Sequence, residues 1–390
     1  AVEAAKNLGI EICEIKKIDN APSGIFNLYN KTANFEIATE NNEALVLHTS
    51  GTTSRPKVVP LTNKNIFSSA TNISNSLQLS SQDHCYNIMP LFHIHGLIAV
   101  LSSSIHAGAS VYASSGFNAL KFLETANKET ITWYSGVPTM HQAILMRAKK
   151  NPKLAEELNL RFIRSSSASL PPAVFDELKK IFKTTVIEAY GMTEATHQMT
   201  SNPMPPEKQK AGFVGKPAGP EVCIMDSQGN KLNTGEDGEV CIRGDNVTNG
   251  YENNVEANKT AFINGWFRTG DQGHFDDEGY LKISGRLKEI INRGGEKVSP
   301  LEVDNILMEH EAVEQVVTFA VKDNLLGEAI GVAIVLKSGI DCKEIDIKNY
   351  ASKHLADFKI PKYIRFLEEI PKGATGKLQR IGLAEKLGLE

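Results

Sequence analysis

The sequence has few cysteines, and those it has lie far apart. Of 390 residues only five are cysteines, and none belongs to a CxxC pair: Cys13, Cys85, Cys223, Cys241 and Cys342. A disulfide framework needs clustered cysteines in even number, and a zinc ribbon needs closely spaced pairs. The sequence therefore predicts neither of these, and it favours a reducing, cytoplasmic location.

Long apolar runs and a dominant charge are also missing. No stretch approaches the roughly 18 uncharged apolar residues that a membrane-spanning helix needs. The 42 Lys and Arg residues nearly balance 46 Asp and Glu residues, so the net charge is -4 and no broad basic field would attract nucleic acid or an anionic membrane. We expect no nucleic-acid partner and no membrane span, and the sequence does not indicate an oligomeric state.

The beginning of the sequence resembles a cut in a longer chain. Position 1 is Ala rather than Met, and residues 1–18 predict the end of a helix, a stop at Gly9 and a strand over 10–15. This pattern is typical of the middle of an α/β layer. We expect an N-terminal segment to be missing, and a peroxisomal location stays open if a C-terminal signal is missing as well.

Apolar runs alternate with helical patterns in the first half of the chain. Residues 44–47, 131–134 and 186–188 have the length and composition of buried strands, and residues 173–182 have the period of a helix. This alternation predicts an α/β fold with parallel sheets that helices cover.

The pattern changes after about Gly212. Short strands at 222–225, 238–243 and 279–283, which turns separate from one another, predict a β-rich subdomain. Beyond it, a second α+β segment long enough for a small domain is indicated by helices over 300–309 and 344–355 and by strands over 313–321 and 329–336.

A run of small residues, mostly with hydroxyl groups, follows the predicted strand over 44–47: Thr49, Ser50, Gly51, Thr52 and Thr53. Gly51 lets the backbone close around a polyphosphate, which Arg55 and Lys57 would neutralise. The run is not a Walker A loop, because GxxxxGK[ST] is absent and no helix follows the lysine at once. It predicts a phosphate-binding loop, although a solvated turn explains the run equally well when it is taken alone.

Two further segments offer carboxylates. Thr193 and Glu194 follow the strand over 186–188, at the end where open α/β sheets bind ligands, so Thr193 suits a phosphate and Glu194 suits Mg²⁺. Asp271 follows a predicted tight turn at the end of 266–271 and suits the two hydroxyls of a ribose. Either segment alone is also explained by a plain turn with a capping side chain.

Together and in this order, these segments resemble the motifs of the adenylate-forming superfamily, which contains acyl-CoA synthetases, luciferases and peptide-synthetase adenylation domains. The resemblance covers about residues 41–380 and includes PLFHIHG at 90–96, SSSASL at 165–170, SGRLKEIINRGGEKVSP at 284–300 and PKGATGK at 371–377. It implies a large N-terminal AMP-binding domain over 1–285 and a small mobile domain over 286–390. The hinge between them is implied near Lys288.

The resemblance implies an ATP-dependent acid-CoA ligase. A carboxylate attacks the α-phosphorus of ATP and releases pyrophosphate, and the thiol of coenzyme A then takes the acyl group and releases AMP. ATP, Mg²⁺ and coenzyme A are the implied cofactor and co-substrates, with Mg²⁺ on Glu194. The implied catalytic residues are Lys377, Thr193, Glu194 and His93.

Other binding residues follow from the resemblance. Asp271 would hold the ribose, Arg286 would lie near the ribose or phosphate, and Tyr190 would stack on the adenine. Three residues would edge the adenine: Ser167, Ala168 and Ser169. Coenzyme A would enter beside Gly294, Gly295 and Glu296, because a glycine pair lets the pantetheine arm run close to the backbone.

The acid pocket is expected to be polar. His93 stands where amino-acid-activating relatives carry Asp, and an imidazole does not complement an amine cation. The strings over 132–145, 160–170 and 188–206 resemble the oxalate-CoA ligases, which implies a small dicarboxylate such as oxalate. The candidates to hold it are His93, Ser167, His197 and Arg164.

Several alternatives stay open at this point. His93 and His197 are also explained as core residues, and His84, His93 and His95 together would suit a metal site. His141 is predicted to be a packing or surface residue. Behind the oxalate ligase, the alternatives are a ligase for a 4-coumarate-like or medium-chain acid, a carrier-loading adenylation enzyme, and a non-catalytic nucleotide-binding homologue.

Overall fold

The computed structural model describes residues 2–12, 15–18, 26–28, 37–49, 56–372 and 378–389. Residues 1–40 form one compact unit and residues 41–390 form a second. Among the described residues, no helix has both the length and the hydrophobicity to cross a membrane.

The first unit contains helix α1 (Val2–Asn7) and the antiparallel strands β1 (Ile15–Lys17) and β2 (Phe26–Leu28). The predicted strand over 10–15 is wrong, because residues 10–12 are irregular and β1 begins at Ile15. The reason is local: Gly9 is left-handed at φ +66°, and the N–H of Ile10 donates to the carbonyl of Ala5. These bonds close the end of α1, so the backbone of Ile10 is used as a helix cap.

The second unit opens with a hairpin of β3 (Glu43–His48) and β4 (Val58–Thr62), followed by helix α2 (Asn63–Ser76). Helix α2 begins with a capping box, in which Thr62 and Asn65 each accept a hydrogen bond from the other's backbone N–H.

A seven-stranded sheet is the centre of this unit. Its strands are β5 (His84–Asn87), β6 (Ser110–Ala113), β7 (Trp133–Gly136), β8 (Phe162–Ser165), β9 (Thr185–Met192), β10 (His197–Ser201) and β11 (Lys216–Pro217). Their order is β11-β10-β9-β8-β7-β5-β6. Strands β5 to β9 run parallel, whereas β10 and β11 extend the sheet in antiparallel pairs.

Helices cover this sheet, as the alternating pattern predicted. They are a π-helix (His95–Ser102), α3 (Ser103–His106), α4 (Phe122–Lys128), α5 (Pro138–Lys150), α6 (Pro152–Glu156) and α7 (Pro172–Phe182). Tyr134 and Ile163 face the core under α4, α5 and α7, while their neighbours Trp133 and Phe162 face the core under α2 and the π-helix. This two-residue alternation assigns each side chain of β7 and β8 to one face.

The predicted β-rich segment forms an antiparallel sheet. Its elements are β12 (Glu221–Met225), β13 (Gly238–Arg243), α8 (Val255–Ala261), β14 (Phe262–Ile263), β15 (Trp266–Phe275) and β16 (Leu281–Arg286). The strand order is β12-β13-β15-β14, with β16 also paired to β15.

The last segment is the predicted α+β arrangement. It contains β17 (Ile291–Arg293), β18 (Glu296–Val298), α9 (Pro300–Met308), β19 (Val313–Asp323), β20 (Gly327–Leu336), α10 (Glu344–His354), β21 (Tyr363–Phe366) and α11 (Leu383–Lys386). The strand order is β18-β17-β20-β19, and β21 runs parallel to β20. Its helices and strands share a core of their own that includes Val303, Val316 and Ile347. The fold class predicted from the sequence is confirmed.

His141 is a packing residue in α5. It is fully buried, and its Nδ1 lies 3.2 Å from the hydroxyl of Tyr134. Burial lowers the pKa of His141 from 6.5 to about 4, because the imidazolium would be poorly solvated there.

We therefore expect acid to destabilise the fold partly through His141. Its pKa is lower in the folded than in the unfolded chain, so its contribution to stability is complete above pH 6.5 and is lost as pH falls towards 4. The loss amounts to about 3 kcal/mol at pH 4. Urea unfolding of wild type and His141→Gln between pH 7.5 and 4 should show the difference shrinking or reversing in acid. The exposed His106→Gln is the control, and a pH-independent difference would contradict the assignment.

Candidate active site

The end of β9 carries the segment Tyr190–Glu194. The strand is longer than predicted and runs to Met192, so Tyr190 lies inside it, while Thr193 and Glu194 form a 3₁₀ turn with Ala195. The chain then returns antiparallel as β10, beginning at His197. This return requires glycine at 191, because a Cβ there would lie 1.9 Å from the carbonyl oxygen of His197.

Asp271 lies inside β15, so the predicted turn before it is wrong. The tight turn comes earlier, at Asn264 and Gly265, whose φ angles are +50° and +78°. The sequence suggested a turn near Asp271, where Gly270 stands. In the structure Gly270 is left-handed, at φ +74°, but it lies within β15. In the sheet this residue belongs to an irregularity where the pairing of β13 with β15 shifts register, and such bulges redirect side chains.

The carboxylate of Asp271 is buried and contacts two of the predicted residues. The Tyr190 hydroxyl donates to one carboxylate oxygen, and Nε of Arg286 lies 3.2 Å from the other. Burial raises the pKa of Asp271, and the Arg286 guanidinium opposes that rise. Each carboxylate oxygen accepts two hydrogen bonds, so capacity is left for two further hydroxyl donors.

Glu194 is also buried, and it accepts a hydrogen bond of 2.8 Å from the hydroxyl of Tyr251. The ammonium of Lys57 lies 4.1 Å from the centre of the Tyr251 ring. The pKa of Lys57 is lowered by burial; the nearby Glu194 raises it and Lys288 lowers it. Lys57, Glu194 and Lys288 therefore share one electrostatic environment. Tyr251 was missed from the sequence, where a lone tyrosine after a glycine carries no signal.

The residues of this site suit Mg²⁺ bound together with a nucleotide. Glu194 keeps one oxygen that Tyr251 does not occupy, and Mg²⁺ is usually held by one or two carboxylates plus phosphates and waters. Within the described ranges, no group of three His, Cys, Asp or Glu residues could hold a metal by itself. His84, His93 and His95 therefore do not form the metal site that was considered from the sequence.

Part of the predicted phosphate loop and the catalytic lysine fall outside the described residues: Ser50, Gly51, Thr52, Thr53 and Lys377. Their roles stay predictions. The residues that flank the loop pair with each other, since Thr49 N donates to Lys57 O at 2.9 Å and Lys57 N donates to Thr49 Oγ1 at 3.2 Å.

The segment before and after Lys377 is tied to the last domain. Gln379 N donates to Pro371 O at 3.0 Å. The guanidinium of Arg380 lies 3.1 Å from a carboxylate oxygen of Glu289 and 2.9 Å from one of Asp304.

Three of the predicted acid-binding residues surround His95: His93, Ser167 and His197. The ring Nδ1 of His95 lies 3.0 Å from Ser167 Oγ, its ring centre lies 5.0 Å from that of His197, and its backbone N–H donates to His93 Nδ1 at 3.2 Å. Ser167 has a left-handed backbone at φ +74°, which is strained for a residue with a side chain. His95 was considered from the sequence only as a metal ligand; the spacing of two histidines in PLFHIHG was the available signal.

Arg164 lies behind the residues around His95 rather than among them. It is fully buried, and its two terminal nitrogens donate to Ser135 Oγ at 3.3 Å and to Gln198 Oε1 at 3.1 Å. Burial lowers its pKa to about 9, so the side chain is still a cation at neutral pH.

The remaining predicted residues lie in two turns. Ser167, Ala168 and Ser169 follow β8 and run beside β9, where Leu170 N donates to Glu188 at 2.9 Å. Gly294 and Gly295 form the two-residue turn between β17 and β18, with φ +62° and +96°, and Glu296 begins β18. A turn with two positive φ angles favours glycine at both positions. Nothing crowds a Cβ placed at Gly295, so that side of the turn is open.

Two family models match the chain. The model described as AMP-binding enzyme matches residues 7–252, and the model described as AMP-binding enzyme C-terminal domain matches residues 302–377. The boundary and hinge expected between 285 and 288 lie between the two matches and stay a prediction.

Curated relatives and solved structures agree with these matches. An oxalate-CoA ligase of Arabidopsis thaliana is 47% identical over 97% of this chain and 75% of its own length, and one of Saccharomyces cerevisiae is 49% identical over 89% and 64%. The ATP-bound MatB of Rhodopseudomonas palustris superposes with a TM-score of 0.84 at 29% identity, over 89% of this chain and 69% of its own. The o-succinylbenzoate-CoA synthetase of Bacillus subtilis with ATP and a magnesium ion superposes with a TM-score of 0.78 at 31% identity, over 90% and 72%.

Proposed function

This chain belongs to the family of AMP-binding, adenylate-forming enzymes, and from that premise we propose that it is an ATP-dependent acid-CoA ligase acting on oxalate. The observation that carries the choice of acid is the polar cluster around His95, where Ser167, His93 and His197 meet beside the strand end that holds Glu194. An alkyl or aryl acid needs an apolar sleeve, whereas a small dicarboxylate needs fixed donors for the carboxylate that does not react.

The first step joins the acid to the α-phosphorus of ATP and expels pyrophosphate. Asp271 holds the ribose hydroxyls with its free acceptor capacity, and Tyr190 packs on the adenine while its hydroxyl fixes Asp271. Mg²⁺ bound at Glu194 neutralises phosphate charge. Lys57 adds a cation on the same side, and Lys377 contacts the reacting carboxylate and the α-phosphate, where negative charge grows.

The second step transfers the acyl group from AMP to coenzyme A. The thiol of coenzyme A is the nucleophile, so the protein needs none. The described cysteines Cys85, Cys223, Cys241 and Cys342 are free thiols, and burial raises the pKa of each, which makes them poor nucleophiles. The open turn at Gly294, Gly295 and Glu296 is the proposed entry for the pantetheine arm.

Both Lys377 and the Gly294 turn belong to residues 286–390, which we take as the small domain. One position of that domain brings Lys377 to the phosphate, and another brings the glycine turn to the adenylate. Rotation near Lys288 therefore separates the two steps.

The test is release of pyrophosphate by the full-length protein with ATP and Mg²⁺. The acids are oxalate, malonate, acetate, octanoate and 4-coumarate, each with and without coenzyme A. We expect oxalate to exceed octanoate and 4-coumarate by about a hundredfold, since leaving buried polar groups unpaired is costly. His93→Ala and His197→Ala should lose this preference, with His106→Ala as a matched surface control. Release with octanoate or 4-coumarate and none with oxalate would refute the polar pocket while keeping the ligase chemistry.

A further inference from the structure

A row of buried polar groups lies behind the proposed acid pocket. Ser135 in β7 and Arg164 in β8 are paired directly across the two parallel strands. Each lies two positions after a residue that packs under the π-helix, Trp133 or Phe162, so both belong to that face of the sheet. His95 is the first residue of that helix. Arg164, Ser135 and His95 are all completely buried. Hydrogen bonds join Arg164 to Ser135, Ser135 to His95, and His95 to Ser167 at the pocket.

The direction of each hydrogen bond in this row follows from Arg164. A guanidinium only donates, so Ser135 Oγ accepts from Arg164 at 3.3 Å. The other polar contact of Ser135 in the described part of the chain is His95 Nε2, at 2.6 Å. The hydroxyl of Ser135 has two lone pairs but one hydrogen, and in a neutral His95 the Nε2 lone pair is the acceptor within reach of that hydrogen among the described residues. The Ser135 hydroxyl therefore donates to His95 Nε2, and the ring proton of a neutral His95 is on Nδ1.

The proton order continues to the pocket. His95 Nδ1–H donates to Ser167 Oγ at 3.0 Å, so Ser167 accepts from His95 and its own hydrogen is directed to another acceptor. A protonated His95 also donates from Nδ1, which gives the same result at Ser167. A carboxylate only accepts hydrogen bonds, so a serine held as a donor matches it.

Arg164 also supplies charge. Its hydrogen-bond partners among the described residues are a hydroxyl and an amide rather than a carboxylate. A buried cation without a carboxylate partner is costly, and an anion close by offsets part of that cost. A dianionic ligand beyond Ser167 would be such an anion.

We propose that Arg164 is a positioning residue that acts through Ser135 and His95 to fix Ser167 as a hydrogen-bond donor to the non-reacting carboxylate of the substrate. This inference rests on the proposed function and extends it, because it assigns the preference for a small dianion to residues that do not touch the acid. The direct contact of Arg164 with the acid that the sequence suggested is replaced by an indirect one.

The test is the Ser135→Ala enzyme, which keeps the strand but breaks the row between Arg164 and His95. We expect KM for oxalate to rise about tenfold or more, with kcat within about twofold and KM for ATP unchanged. Ser135→Thr restores the hydroxyl and should restore KM. Ser103→Ala is the matched control, since Ser103 is an equally buried serine whose hydroxyl donates to the carbonyl of Ala99 at 2.8 Å.

Each other outcome has one meaning. An unchanged KM for oxalate in folded Ser135→Ala, or an equal rise in KM for ATP, overturns the positioning role. If Ser135→Ala does not fold, Ser135→Cys keeps nearly the same volume with a much weaker donor, and the same rise in KM is required of it. A wild-type enzyme that releases no pyrophosphate with oxalate refutes the proposed function, and this inference with it, whereas oxalate-dependent release without the Ser135 effect refutes this inference alone.

Discussion

Lys377→Ala is expected to lower oxalate-dependent release of pyrophosphate by about a hundredfold or more while leaving the fold intact. Removing one preorganised donor from a site where negative charge develops typically costs a factor of about 10² to 10³. The described residues on either side of it have contacts of their own: Gln379 bonds to Pro371, and Arg380 pairs with Glu289 and Asp304. The loss should therefore be one of chemistry rather than of structure.

The measurement is the rate of pyrophosphate release together with the thermal midpoint of unfolding. Lys372→Ala is the matched control, because Lys372 is a nearby exposed lysine that pairs with Glu369 at 2.9 Å. Transfer to coenzyme A from an acyl adenylate supplied in advance should survive in Lys377→Ala, since the lysine serves the first step. Undiminished pyrophosphate release would exclude Lys377 from adenylation, and equal loss of both steps would assign it a structural role.

Glu194→Gln is expected to reduce pyrophosphate release by a similar factor, about a hundredfold, and to raise the Mg²⁺ concentration needed for half-maximal rate. The substitution keeps the shape of the side chain and an oxygen that accepts from the Tyr251 hydroxyl. It removes the negative charge, which matters more for binding Mg²⁺ than for accepting the hydrogen bond from the Tyr251 hydroxyl. The nearby Lys57 also loses its anionic neighbour, so the pKa of Lys57 should fall further.

The rate of the Glu194→Gln enzyme should be followed as a function of Mg²⁺ at saturating ATP. Tyr251→Phe is the comparison, because it removes the hydrogen bond to Glu194 and retains the ring under Lys57. Its loss should be about tenfold at most. An Mg²⁺ dependence of Glu194→Gln equal to that of wild type would remove Glu194 from the metal site.

Local sequence predicted the features that depend on neighbouring residues in the chain. The runs at 44–47, 173–182 and 238–243 correspond closely to β3, α7 and β13, because burial period and length are local properties. The prediction failed at Asp271, where Gly270 indicated a turn. The left-handed glycine is part of a strand irregularity there, and its partner β13 is about 30 positions away in the sequence.

The inner part of the acid pocket depends even more on residues that are far apart in the sequence, which local patterns do not predict. Arg164 in β8 looks from the sequence like a side chain that reaches a ligand. Its complete burial depends on which face of the sheet position 164 occupies and on the π-helix that covers that face. Likewise, the bond between His95 and Ser167 joins residues 72 positions apart. No local pattern encodes such a contact.

The contacts of Arg380 have a mechanical consequence for the proposed motion. Arg380 lies three positions after Lys377. It forms ion pairs with Glu289, the residue next to the proposed hinge, and with Asp304 in α9. Residue 380 is thus anchored both beside the proposed pivot and in the body that would turn. A rotation of the small domain near Lys288 would therefore carry residue 380 with it as part of one rigid body. We expect the angle of that rotation to determine the distance between Lys377, three positions earlier in the chain, and the phosphate.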